Sequence, residues 1–235
     1  MGNKTVYHGS KEGIIGDIQP ISRPITDFGQ GFYMGDNREQ AELLVLGENS
    51  PTIYTLELQL DQIPNEQILT FTDIQKWALF VAYNRNMFKQ YDGIEQTALF
   101  KELESMGKNK EFIIGPIADD NMTMVMQQFV DETITDKTFI ECIKCIDLGT
   151  QYVAKTKNAC RYIIPKDEGE KLSLEKQKEY YKSAPERRRI NNRILAQTRK
   201  QYKREGSYLS EIIEKYEKLA KQVKLAKGIS GSISQ

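Results

Sequence analysis

Three glycines set among aromatic residues in Asp27-Phe-Gly-Gln-Gly-Phe-Tyr33-Met-Gly-Asp36 constrain this chain more than any other stretch of its sequence. Glycines at this density specify a tight turn and close backbone approach, and the aromatic residues that follow need a packed surface at once. Earlier in the chain, Val6-Tyr7-His8-Gly9-Ser10 reads as a short strand ending in a polar triplet. His8 and Ser10 then sit at a strand end, with Gly9 between them where a ligand can approach the backbone. A glycine turn followed by Tyr33 can close a flat aromatic ring between a backbone edge and a tyrosine face.

His8-Gly9-Ser10 followed by Phe28-Gly-Gln-Gly-Phe-Tyr33-Met-Gly-Asp36 resembles the ADP-ribosyltransferase superfamily, in the branch of diphtheria toxin and the poly(ADP-ribose) polymerases. The closest correspondence covers residues 5–41 and a looser one extends to about residue 164. The resemblance implies an α+β fold, with small, mostly antiparallel split sheets around an NAD cleft and a helical C-terminal appendage. It implies NAD as substrate and transfer of one ADP-ribose unit to a macromolecular acceptor, protein or nucleic acid, in a bacterial toxin or effector. His8 would bind the adenosine ribose hydroxyl, and the Gly9 main chain would pair with the nicotinamide carboxamide. Ser10 and Gly31 would complete the cofactor contacts, and Tyr33 would stack on the nicotinamide ring. The third catalytic position, a glutamate in much of the branch, falls on Gln151, which would hold a ribose hydroxyl. A neutral amide is no general base, so the reaction would rest on positioning and on stabilising a cationic ribose. Single-unit transfer is then expected rather than chain growth.

The alternatives are an NAD glycohydrolase using water as acceptor and a non-catalytic NAD- or nucleic-acid-binding module that kept His8 and Tyr33. Phe112-Ile-Ile-Gly-Pro reads as an apolar strand entering a Gly-Pro turn, and Asp119 and Asp120 follow it. Either carboxylate could take an acceptor's proton, or both could mark the start of a helix, where its dipole favours acids. Thr52–Leu58 alternates as a strand and Thr72–Phe80 as an amphipathic helix. With His8, the single histidine, already assigned to the ligand, Cys142, Cys145 and Cys160 are one donor short of a thiol-imidazole zinc site, so buried reduced thiols and no metal are expected. With no apolar run of spanning length, no secretory leader at Met1-Gly-Asn-Lys-Thr-Val, and Val6 where myristoylation needs Ser or Thr, a cytoplasmic protein without membrane contact is expected.

The formal net charge is +0, but residues 166–227 carry a net +8 and the remainder −8. This divides the chain into a catalytic domain over 1–165, a basic helical region over 166–228 and a flexible tail over 229–235. One helix is expected to start at Ser183-Ala-Pro-Glu186, with proline in its first turn, and a second near Ser207, ending at Gly228. Arg187, Arg188, Arg189, Arg193, Arg199, Lys200, Lys203 and Arg204 are candidates for a nucleic-acid surface, for docking on the acidic half of the chain or on an antitoxin or other acidic inhibitor, or for a merely solvated face.

Overall fold

The computed structural model describes residues 2–118, 120–145 and 148–230. The strands are β1 (Lys4–Ser10), β2 (Phe32–Gly35), β3 (Thr52–Leu58), β4 (Ile68–Thr70), β5 (Phe112–Pro116), β6 (Thr150–Ala154), β7 (Ile163–Pro165) and β8 (Glu170–Lys171). The helices are α1 (Arg38–Leu44), α2 (Ile74–Asn84), α3 (Ala98–Met106), α4 (Asp120–Val130), α5 (Asp136–Cys145), α6 (Lys157–Cys160), α7 (Leu174–Tyr202) and α8 (Leu209–Ser230). The α+β class is therefore present, but the strands are hydrogen-bonded along one path, β4-β5-β6-β2-β1-β3-β7, with β8 also on β3. This corrects the expectation of two separate sheets. Among the described residues only β4 and β5 pair in parallel.

The single sheet has a weak joint. Seven residue pairs register β1 with β3, whereas β1 and β2 share only Tyr7↔Gly35. The direction of the next backbone groups follows from alternation along an antiparallel ladder. Thr55, opposite Tyr7, accepts from the Lys166 N–H and donates to Asp167, so both its groups point away from β1. Tyr7 therefore turns its N–H and C=O to β2, and so does Gly9 two residues on. At Gly9 the register with β2 has already ended. The seam between the two halves opens there.

Burial follows the same division. Even-numbered positions of β1, β2 and β6 (Val6, Phe32, Met34, Tyr152, Ala154) join Tyr54 and Leu56 in one cluster that crosses the seam beneath both halves. On the opposite face two clusters stay separate. Phe28, Trp77, Ile113 and Val153 form the larger one with α2, α4 and α5, while Ala41, Val45, Ile53 and Leu172 form the other over β1 and β3. Helix α2 can be central because six consecutive residues, Trp77–Ala82, are buried, and Asp73 caps it by accepting from the Gln75 and Lys76 N–H groups.

Three boundaries of the C-terminal region differ from expectation. Residues 170–171 belong to the sheet, so the helical region starts later than residue 166. Helix α7 begins after Ser173, whose side chain accepts from the Lys176 N–H, and Pro185 lies inside it. Helix α8 runs through Gly228 to Ser230, which leaves only 231–235 of the expected tail, outside the described residues. Leu195, Leu209 and Ile212 enter the large cluster, so both helices pack on the body of the protein. Gly115 and Pro116 finish β5, opposite Gln151 and Thr150, instead of making a turn. No described helix is long and apolar enough to cross a membrane.

Helix α1 sits directly on β1 because Gly9 lacks a side chain. A Cβ there would lie 2.3 Å from the Ala41 carbonyl oxygen and 3.1 Å from Val45 Cγ1. Gly9→Ala is expected to lower stability by ~1–3 kcal/mol through forced displacement of α1, read as a lower midpoint in urea. An unchanged midpoint would place α1 elsewhere.

Candidate functional site

The seam is held beyond its last backbone pair by a side chain. His8 Nδ1 lies 2.7 Å from the Tyr33 carbonyl oxygen, which can only accept, so Nδ1 carries the proton. Burial lowers the imidazole pKa below its ordinary 6.5, with the bond to Tyr33 opposing in part. His8 is therefore neutral at pH 7, and its second nitrogen, Nε2, presents a lone pair. Its ring stacks on Phe32 at 4.3 Å between centroids. That contact puts the imidazole on the Val6 and Phe32 face of the sheet.

Tyr33 and Gln151 occupy the other face. Tyr33 pairs with Val153, and Gln151 with both Gly35 and Gly115. The three predicted residues thus do not converge as side chains on one face. Tyr33 and Gln151 share a face, and His8 joins them through the Tyr33 main chain across the seam. The Tyr33 hydroxyl is committed to its own loop, accepting from the Phe28 N–H at 2.9 Å and lying 2.7 Å from Thr26 Oγ1 and 2.8 Å from the Gly29 carbonyl oxygen. Burial raises its pKa far above the ordinary tyrosine value. Ser10 Oγ accepts from the Gly13 N–H and so shapes the turn after β1. Gly31 is required by packing, because a Cβ would meet Val153 Cγ1 at 2.5 Å and the Ala154 carbonyl oxygen at 2.9 Å.

Gln151 is 5 % exposed, and its orientation is fixed by what surrounds it. Its Nε2 lies 2.9 Å from Asp27 Oδ2 and 2.8 Å from the Pro116 carbonyl oxygen. A carboxylate and a carbonyl both need donors, so both amide hydrogens are spent on them. Oε1 must then point the other way, as an acceptor.

Asp27 and Arg85 carry this arrangement, and neither had been assigned a role from the sequence. Asp27 is buried, and Arg85 closes on its Oδ1 with Nε at 2.6 Å and Nη2 at 2.5 Å. The other arm of Arg85 donates to Thr123 on α4. The Asp27 carboxylate therefore receives a guanidinium on one oxygen and an amide on the other, which satisfies a buried charge. It also dictates the residue at 151, since a glutamate there would face Asp27 and the Pro116 carbonyl with no hydrogen to offer either. The only sequence signal was the acid opening the glycine-rich turn.

Lys155, the residue after β6, anchors the same turn. Its Nζ donates to the Phe28 carbonyl and, at 2.6 Å, to the Gln30 carbonyl. Burial pulls its pKa down from 10.5 to about 8. Asp119 lies outside the described residues, and α4 starts at Asp120. Cys142 and Cys160 are buried thiols with pKa values raised by burial to about 11. Among the described residues no group of three or more His, Cys, Asp or Glu could hold a metal ion. A cavity of about 260 Å³ lined by Ile74, Pro116, Ile117, Met122, Ile143 and Leu148 touches the site only through Pro116. His8 and Tyr33 do not line it, and the seam's unpaired edge and fixed polar groups lie outside this hollow.

The profile of a family described as "Protein of unknown function (DUF3990)" matches residues 4–164, the span from β1 to β7. No curated protein and no solved structure matches the chain.

Two expectations follow from the geometry. Gln151→Glu puts a second carboxylate beside Asp27 and should lower the unfolding midpoint at pH 8, with much of the loss recovered at pH 5 where the pair can share a proton; an equal loss at both values would contradict the contact. For Lys155 the folded pKa is below the unfolded one, so the unfolded chain binds more protons between them. Stability contributed by this group should rise as pH is taken from about 8 towards 10.5. The difference in unfolding free energy between the native protein and Lys155→Met checks this, and a pH-independent difference would refute it.

Proposed function

The chain belongs to the DUF3990 family, and we propose that it binds NAD and transfers a single ADP-ribose unit to a macromolecular acceptor. The observation that carries the reading is the Gly9 backbone edge. An N–H and a C=O from one residue face the seam beyond the last β1–β2 pair, a donor and acceptor together, and a carboxamide offers the complementary acceptor and donor. Nicotinamide is the flat carboxamide that suits the edge, with the Tyr33 ring as its wall. A ligand seated on the strand edges, and not on either face, is the arrangement that reaches groups of both faces. On one side Gln151 Oε1 accepts from a ribose hydroxyl. On the other, His8 Nε2 offers a second acceptor to the adenosine ribose.

The chemistry asks little more of the protein. The bond between the ribose C1′ and the pyridinium nitrogen breaks, its electron pair neutralises that nitrogen, and the acceptor's nucleophilic atom bonds to C1′ while losing its proton to solvent water. Positive charge builds on the ribose as this happens. With Gln151 Oε1 on the ribose hydroxyl, its dipole stabilises that charge, and its Nε2 bond to the Asp27 carboxylate polarises the amide towards greater negative character at oxygen. The Asp27–Arg85 pair holds the amide in place, so no reorganisation is required in the transition state.

Incubation with adenylate-labelled NAD and a cell lysate tests this. Label is expected in a macromolecule, falling roughly 10²-fold in His8→Ala and Gln151→Ala, and NAD should raise the thermal midpoint. Release of free ADP-ribose without transfer would replace the reading with NAD hydrolysis. A thermal shift with no turnover would leave a binding module, and neither shift nor label would remove NAD altogether.

A further inference from the structure

Helix α7 is anchored at two places and exposed between them. Tyr180 is buried near its start, where the hydroxyl donates to Glu42, and Leu195 and Thr198 are buried near its end. On a helix advancing about 100° per residue, these three side chains share one side. Arg188, Arg189, Arg193, Arg199 and Lys200 are all exposed and fall within an arc of roughly 140° on the opposite side, spread over about 18 Å of helix, and Lys203 and Arg204, also exposed, follow directly after its last residue, Tyr202. Arg187 is not among them: it turns back to Ser183 and the Tyr180 ring.

Of these seven cations only Arg189 meets an acid among the described residues, and that acid is Glu186 of the same helix. The acidic body of the protein does not neutralise this face, so docking onto the chain's own acidic half is not what the face does. Between residues 188 and 204 the only large exposed apolar side chain is Ile190, which points outside the arc. A protein partner or a membrane would require an apolar anchor to generate affinity. A sugar-phosphate backbone requires none, since charge neutralisation and counterion release supply the binding, and arginine forks match phosphate oxygens.

We propose that the outer face of α7 is a sequence-independent binding surface for the phosphate backbone of double-stranded nucleic acid. A rigid row of cations matches a rigid row of phosphates, and recognition of bases is not called for. This inference does not rest on NAD binding, and its failure would leave that reading untouched.

Fluorescence anisotropy of a labelled random-sequence DNA duplex with the full chain, titrated over increasing KCl, tests it. Binding should weaken along a log–log line with a slope of about −0.9 per phosphate engaged. The quadruple variant Arg193→Gln, Arg199→Gln, Lys200→Gln, Lys203→Gln should bind at least tenfold more weakly at low salt, with a shallower slope and an unchanged unfolding midpoint, because all four side chains are exposed. No binding at low salt, salt-independent binding, or undiminished binding by the variant would each overturn the proposal. Capture by anionic vesicles without any affinity for duplex would do the same.

Discussion

The fold and the site depend on one event, the end of β1–β2 pairing after Tyr7↔Gly35. Had the ladder continued, Gly9 would face Tyr33 across ordinary backbone bonds and no edge would be available to a ligand. Instead the Tyr33 carbonyl takes its hydrogen from the His8 ring, which substitutes a side chain for a backbone donor. The halves stay joined because the cluster of Val6, Phe32, Met34 and Tyr54 runs continuously under the seam. A sheet can lose pairing locally when burial on one face keeps its strands in register.

Asp27 gives the glycine-rich turn its chemical meaning. Gly29 adopts a positive φ of 71°, Gly31 packs against Val153 and Ala154, and Lys155 ties down two carbonyls between them. The turn so formed delivers a carboxylate to the back of Gln151, where Arg85 neutralises it. A carboxylate thus stands behind residue 151 as one half of an ion pair with Arg85. The Gln151 amide lies between that pair and the opposite side of the residue, so the group it presents there is neutral.

Of the seam's two strands the sequence makes β1 legible, while Phe32–Gly35, which forms β2, reads as the end of a glycine-rich turn because its glycines mask a four-residue strand; β3 and α2 are readable from their periods of 2 and 3.6. Asp27's partners were hidden because they lie 58 and 124 residues away, and no local pattern announces a contact of that separation. Ser183-Ala-Pro-Glu186 puts a helix start too late because a proline two residues after a serine suits a first turn. Here the helix is capped at Ser173 and pinned at both Tyr180 and Leu195, and that tertiary packing outweighs the bond Pro185 removes. Gly228 failed to stop α8 for a milder reason, since one glycine costs a helix only about 1 kcal/mol relative to alanine. The side of the sheet taken by His8 was unreadable in principle, because it depends on register with strands far along the chain.

The basic helix and the seam are not independent structures. Tyr180 of α7 donates to Glu42 of α1, and Arg38 adds a bond at 2.9 Å; burial alone would raise the Glu42 carboxyl, but these two donors hold it below the ordinary range. Next to Glu42, the Ala41 carbonyl rests on Gly9, whose main chain faces the seam. Tyr180, Glu42, Ala41 and Gly9 thus form a continuous run of contacts between the cationic helix and the strand edge. Packed interiors resist small displacements, so whatever fixes α7 also limits how far α1 can lift from β1.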